Sequence, residues 1–211
     1  MEQTNYMKTG TTTLAVLCKD GVVLGADKRA TAGHFIADNK AKKVHEITKD
    51  MGVTIAGTVS DAQLIIKLIK ANIRLKDIQT RRKSTVKEAA NFLSGIIYNN
   101  IRKFSTIPGV AHFLLGGKDG CGFHIYDVFA DGSLSEIDDF VSSGSGSVMA
   151  YGVLEGEYKK GLSVEEGVKL VTKCLNSALR RDSASGSGIQ IITITDKGFK
   201  EVVNKDLTTN I

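Results

Sequence analysis

Apolar positions along this chain come in two kinds of block. Residues 12–18 (TTLAVLC) and 21–26 (GVVLGA) are short and apolar nearly throughout. They are joined by Lys19-Asp20, with Gly21 following, which is a hairpin signal. Strands of that composition must be covered on both faces. Residues 42–47 alternate as a short strand, and residues 51–57 form another buried strand ending on Gly57. The period then changes. Leu64, Ile65, Leu68, Ile69, Ile73 and Leu75 recur with Lys67, Lys70, Arg74 and Lys76 between them, predicting an amphipathic helix over 62–80 capped by Ser60 or Asp61. Ser84 or Thr85 caps a second helix, with Glu88 placed for a capping box, and Pro108-Gly109 closes the linker after it. A second β block follows over 111–116, 122–127, 133–137 and 140–142, cut by the turns Lys118-Asp119-Gly120 and Ala130-Asp131-Gly132. Helices are predicted over 149–159 and from the Ser163 cap, with Glu166 three residues on, to 181. Strands over 189–195 and 199–203 end the pattern. Residues 32–39, 143–147 and 182–188 read as loops.

The order is strands, two helices, strands, two helices, strands. It lacks the strand–helix alternation of a parallel sheet. It fits an α+β fold: a four-layer αββα sandwich in which helix pairs flank two antiparallel sheets. No linker, repeat or low-complexity tract interrupts the 211 residues, so one domain is expected.

Composition narrows the function. The 22 glycines and single proline suit sheets joined by tight turns. The formal charge of +5 is mild and its basic residues are not interleaved with aromatics, so no nucleic-acid platform is predicted. No apolar run reaches the ~18 residues of a membrane span, and residues 1–10 have no apolar core of a secretory signal. Cys18, Cys121 and Cys174 are odd in number and widely spaced. They offer neither a disulfide framework nor metal-ligand spacing, and they point to a reducing, cytoplasmic setting.

The chemistry-bearing stretch is Lys8-Thr9-Gly10-Thr11-Thr12-Thr13, a short polar leader running into the first strand. A threonine hydroxyl is a weak nucleophile without a neighbouring base. Cutting the chain before Thr11 would free its own α-amine for that role. With a reference pKa of roughly 7.7–8.0, part of that amine is neutral near pH 7; while joined to Gly10, the nitrogen is a planar amide and no base. Gly10 lets the chain bend sharply at the cut. Taken alone, Thr-Thr-Thr reads first as β-branched strand material.

Six motifs in order give this stretch its context: Gly10-Thr11-Thr12-Thr13, Asp27-Lys28-Arg29-Ala30-Thr31, Lys42-Lys43, Ala56-Gly57, Gly144-Ser145-Gly146-Ser147 and Arg181-Asp182-Ser183-Ala184-Ser185-Gly186. Together with Tyr151-Gly152-Val153-Leu154-Glu155, they make the chain from Thr11 onward resemble the β subunit of the 20S proteasome, of archaeal type, an N-terminal-nucleophile hydrolase. The resemblance implies that residues 1–10 are a removable propeptide and that 11–211 form a single catalytic domain. Thr11 would be the nucleophile and, once freed, the base. Lys43 would lie beside its hydroxyl, keeping the amine unprotonated and favouring the alkoxide-like form. Asp27 would fix Lys43. The Gly57 amide would supply the oxyanion hole, and Ser145, Asp182 and Ser185 would surround the freed amine.

Positions resembling the family's first specificity pocket and its surroundings are Ala30, Thr31, Ala41, His45, Ile55, Gly57 and Val59. The small apolar members imply a preference for bulky apolar side chains. His45 departs from the family's apolar habit at its position, and it reads either as a satisfied core histidine or as a pH-sensitive pocket residue. The resemblance implies a threonine endopeptidase that degrades unfolded proteins and needs no metal or cofactor. Its partners would be α subunits and other β subunits in a stack of four seven-membered rings, fed by an unfolding ATPase. Two other readings stay open: a noncatalytic, unprocessed β subunit of the same ring, and the simpler bacterial two-ring peptidase.

Overall fold

A computed structural model describes residues 10–105 and 109–207. Most of the leader and Pro108 lie outside the described residues. The first half contains β1 (Thr13–Cys18), β2 (Gly21–Asp27), β3 (Ala30–Ala32), β4 (Phe35–Asp38), β5 (Val44–Thr48), β6 (Met51–Gly57), α1 (Val59–Thr80) and α2 (Val86–Ile101). The second half contains β7 (Ala111–Asp119), β8 (Gly122–Val128), β9 (Leu134–Ile137), β10 (Phe140–Ser143), α3 (Ser147–Glu157), α4 (Val164–Arg181), β11 (Gly188–Thr195) and β12 (Gly198–Asp206).

Two five-stranded antiparallel sheets result, in the orders β10-β1-β2-β11-β12 and β5-β6-β7-β8-β9. The period-two rule assigns each side chain its layer. In β1, Leu14, Val16 and Cys18 pack under α3 and α4 with Leu154, Val171 and Leu175. Ala15, between them, faces the other sheet, where Val22, Leu24, Leu114, Ile125 and Ile192 fill the space. In β7, Phe113 and Leu115 turn outward to Ile65, Ile69, Leu93 and Ile97 of α1 and α2. Strands apolar on both faces are therefore covered on both, which is what the αββα layering requires.

Local signals set the helix ends. Thr85 accepts from the Glu88 amide and Glu88 returns a bond to the Thr85 amide, a full capping box; Ser163 and Glu166 repeat it at α4. The first helix departs from expectation. It begins at Val59 with Thr58 as N-cap, and Thr58 makes no side-chain cap bond. Gly57, with φ +114°, turns the chain so sharply out of β6 that the helix starts before Ser60 and Asp61 can cap it. Its buried stripe is Ala62, Ile65, Ile66, Ile69 and Ile73. Leu64, Leu68 and Leu75, counted with the inward face by pattern, are 53%, 40% and 53% exposed.

The stretch over 32–39, read as loop, instead carries a strand that pairs back onto Ala30–Ala32. β3 and β4 form a separate two-stranded ribbon, turning at Gly33 with φ +62°. Phe35 and Ile36 on it are exposed, so no buried face marked it in the pattern. Elsewhere the ends shift slightly. β5 starts after Lys43, α3 begins two residues early, and β12 runs on to Asp206.

Candidate active site

Thr11 lies just before β1, Asp27 ends β2 and Lys43 precedes β5, so the hairpin and the facing sheet bring three separated residues together. Lys43 Nζ donates to Thr11 Oγ1 at 2.8 Å and to Asp27 Oδ1 at 2.7 Å. All three residues are buried, at 6%, 0% and 5% exposure for Thr11, Asp27 and Lys43. Asp27 is no surface acid. Its Oδ1 also accepts from the Thr12 amide at 3.0 Å, and its Oδ2 accepts from the Arg29 and Gly186 amides, each at 3.0 Å. The Lys43–Val44 peptide group is held on both edges. Its carbonyl accepts from Ile55 N at 2.9 Å, and the Val44 amide donates to Gln190 Oε1 at 3.2 Å. Burial pushes the Lys43 ammonium below the ordinary lysine value, and the adjacent Asp27 charge offsets part of that push.

The two small-residue loops close over Thr11. Ser145 Oγ accepts from the Thr11 backbone N–H at 3.2 Å and donates to Asp182 Oδ2 at 2.6 Å. Ser185 Oγ donates to the same Asp182 oxygen at 2.6 Å and lies 2.7 Å from Thr12 Oγ1. So Ser145 touches the Thr11 nitrogen, while Asp182 and Ser185 stand behind it and orient it through Ser145 and Thr12. The glycines of the first loop are close-approach residues. A Cβ on Gly144 would fall 2.0 Å from the Thr11 carbonyl oxygen, and one on Gly146 2.0 Å from Thr12 Oγ1.

A cavity of 410 Å³ opens beside Thr11 and Lys43. Ala30, Thr31, Ala41, His45, Ile55, Gly57 and Val59 all line it. Ala37 and Asp38 of the β3–β4 ribbon, Gly10, Lys42, and Gln63 of α1 complete the wall. Pattern reading missed the ribbon residues because it missed the ribbon. Gly57 is fixed as glycine by its φ of +114°, and a Cβ there would meet the Val110 carbonyl oxygen at 2.2 Å. His45 is not a core residue. It is half-buried in the cavity wall, and its Nε2 donates to the Lys42 carbonyl at 2.9 Å. Burial, together with the charges of Lys42 and Lys70, holds it below the ordinary histidine value, against the opposing pull of that bond. That direction favours the neutral imidazole.

Three supports were assigned no role by the sequence. Thr12 joins Asp27 to Ser185 through its amide and hydroxyl. Arg29 donates to the Ser183 carbonyl at 3.0 Å and lies so close over Gly186 that a Cβ there would meet its guanidinium at 2.2 Å. His112 links Ser143, at 2.6 Å from its Nδ1, to Asp127 at its Nε2, immediately before the Gly144 turn. Thr12 and Arg29 lie inside quoted motifs that gave them no role, and nothing local hinted at His112.

Burial raises the Cys18 and Cys174 thiols to about 12, far from thiolate chemistry at neutral pH. Among the described residues no three His, Cys, Asp or Glu side chains form a group that could hold a metal ion, and no helix is long and apolar enough to cross a membrane.

The layered sheets and paired helices are the architecture of the N-terminal-nucleophile hydrolases, with the threonine cluster at the mouth between the sheets. The chain belongs to the proteasome family: the model described as "Proteasome subunit" matches residues 7–194. Relatives named "Proteasome subunit beta" include one from Ferroglobus placidus, 44% identical over 94% of this chain and 92% of its own. Another, from Archaeoglobus profundus, is 45% identical over 95% of this chain and 93% of its own. A third, from Methanosarcina thermophila, is 39% identical over 96% and 94%.

Proposed function

We propose that this chain is a catalytic proteasome β subunit, a threonine-type endopeptidase that matures by cutting its own Gly10–Thr11 bond. The observation that carries this reading is Lys43 Nζ, 2.8 Å from Thr11 Oγ1 and 2.7 Å from Asp27 Oδ1. An ammonium held there by a buried carboxylate lowers the cost of developing negative charge on the threonine oxygen. It also disfavours protonation of an amine formed next to it.

After the cut, the Thr11 α-amine takes the proton from its own hydroxyl as Oγ1 adds to a substrate carbonyl. The Gly57 amide stabilises the oxyanion, a donor of a kind typically worth ~3–4 kcal/mol in the transition state. Collapse expels the leaving amine, which takes the proton from the α-amine, and leaves an ester on Thr11. Water, activated by the same amine, then hydrolyses the ester. Ser145, backed by Asp182 and Ser185, orients the amine. The β-methyl of threonine restricts χ1 and so the direction of attack.

The cavity chooses the side chain on the acyl side of the broken bond. Its Ala30, Ala41, Ile55 and Val59 lining favours bulky apolar groups, and a neutral His45 adds a polar atom without a charge. Assembly into rings with α and other β subunits, an unfolding ATPase, and unfolded chains as substrates belong to the same reading. The outward leucines of α1 and Ile78, 66% exposed, are the kind of apolar surface that assembly buries. A cytoplasmic location follows from it as well.

The test is intact mass and N-terminal sequencing of purified particles, with hydrolysis of a fluorogenic peptide. The expected chain begins at Thr11 and is active. An intact chain in assembled rings, with no hydrolysis, would mean a noncatalytic ring member and would overturn the proposal.

A further inference from the structure

The residue before Thr11 sits in a narrow slot between two walls, at the edge of the cavity. On one wall Gly10 donates its amide hydrogen to Thr31 Oγ1 at 3.0 Å, in a buried bond. On the other, a Cβ built on Gly10 would fall 1.8 Å from Ala184 Cβ and 2.9 Å from Ser145 Oγ. The first distance is about half a normal carbon–carbon contact of roughly 3.5–4.0 Å. The Ala184 wall does not give way easily. The Ala184 amide donates to Asp182 Oδ1 at 3.2 Å, and the Ser183 carbonyl accepts from Arg29 at 3.0 Å. The Ser185 amide bonds the Asp182 carbonyl at 3.3 Å. Moving Gly10 away from Ala184 would break its bond to Thr31.

We infer that Ala184 is a specificity-determining residue for self-cleavage, restricting position 10 to glycine, and that Thr31 is the positioning residue on the opposite wall. This rests on the self-cutting reading above. In that reaction Thr11 Oγ1 bonds to the Gly10 carbonyl carbon, the bond from that carbon to Thr11 N breaks, and the nitrogen gains the hydroxyl proton. Water then adds to the ester, releasing residues 1–10 as a carboxylic acid and restoring the Thr11 hydroxyl. The attacking oxygen and departing nitrogen belong to one residue, so the chain must double back at position 10, inside the slot. A peptide arriving from outside carries no such link. Gly10 and Thr31 border the cavity that selects substrate side chains, but Ala184 does not line it, so the Ala184 wall bears on maturation and not on that selection.

Full-length chains carrying Gly10→Ala, Ala184→Gly or both are incubated under assembly conditions, and loss of residues 1–10 is followed by intact mass. Gly10→Ala is expected to slow the loss about 10- to 100-fold, the range of a one-methyl overpacking clash. The double variant is expected to recover most of that rate. Ala184→Val, with Gly10 kept, should also slow it, and it decides the matter if Gly10→Ala does not fold. Thr31→Val should slow the cut and Thr31→Ser should keep it. A Gly10→Ala chain cut at the parental rate, a double variant no faster than Gly10→Ala, or an Ala184→Val chain at the parental rate would overturn the slot. A parent chain that never loses residues 1–10 would instead overturn the proposed function.

Discussion

Two ion clusters in this protein have nearly the same bond lengths and opposite surroundings. Lys43–Asp27 closes at 2.7 Å with side chains 6% and 0% exposed. Glu88 meets Arg82 at 2.6 Å and Lys76 at 3.0 Å, with side chains 30%, 52% and 37% exposed. The first pair sits where desolvation is costly, and it is tolerable only because Asp27 also collects three backbone amides. The second fixes the start of α2 through its capping box and is screened by water. Distance alone would rank them equal. Burial, and what else each carboxylate holds, separates a site from a helix cap.

The comparison can be broken first at the residue the buried pair serves. Thr11→Ala should lower peptide hydrolysis by at least about a thousandfold and block leader removal, while thermal unfolding stays near the parental midpoint. Full activity in this variant would remove the buried cluster's purpose.

Next in size is the pair itself. Asp27→Asn should cost about 3–5 kcal/mol in urea unfolding, because Lys43 keeps a charge with no partner. Adding Lys43→Met should return most of that stability and none of the activity. A single variant as stable as the parent would mean that the pair is not desolvated.

The pH dependence sharpens the same contrast. The folded Lys43 value lies below that of the unfolded chain, so the unfolded chain binds more protons between the two. The penalty of burying the ammonium is full below the folded value and fades as pH rises toward about 10.4. Stability contributed by this group should therefore rise with pH, and more steeply in Asp27→Asn, measured by unfolding from pH 6 to 10. Glu88 runs the other way. Its bond to Arg82 first, then the Thr85 amide and Lys76, hold it well below the usual carboxylate range. Its contribution is complete above the unfolded value of about 4.3 and is lost as pH falls through the folded one.

The smallest effects belong to the exposed cluster. Thr85→Ala should cost about 1 kcal/mol as a lost cap. Glu88→Gln, which keeps a side chain able to bond the cap amide, should cost less than about 1 kcal/mol. Neither should change peptide hydrolysis per assembled particle.

Much of this was legible in order along the chain. Alternation of whole blocks predicted two sheets and two helix pairs, because apolar strands need cover on both faces. Thr85, Glu88, Ser163 and Glu166 announced their helix starts, since a capping box is closed within four residues. The ribbon of β3 and β4 was not legible: it buries no apolar face, so its pairing leaves no period to read. The α1 leucines misled for the converse reason, being apolar residues that this chain does not itself cover.

At the site, residue types and motifs nominated Thr11, Asp27, Lys43, Ser145, Asp182 and Ser185 through their resemblance to a family, and the side chains that line the cavity likewise. The parts played by Thr12, Arg29 and Ala184, which the motifs contain without a role, and by His112, which no motif contains, emerged only from contacts between segments far apart in sequence. Local chemistry is written in local sequence: which residues can cap, turn, or carry a nucleophile. Distance, burial and the fit of Gly10 against Ala184 belong to the packed sheets and loops. Desolvation and steric exclusion act between atoms that only the tertiary fold makes neighbours.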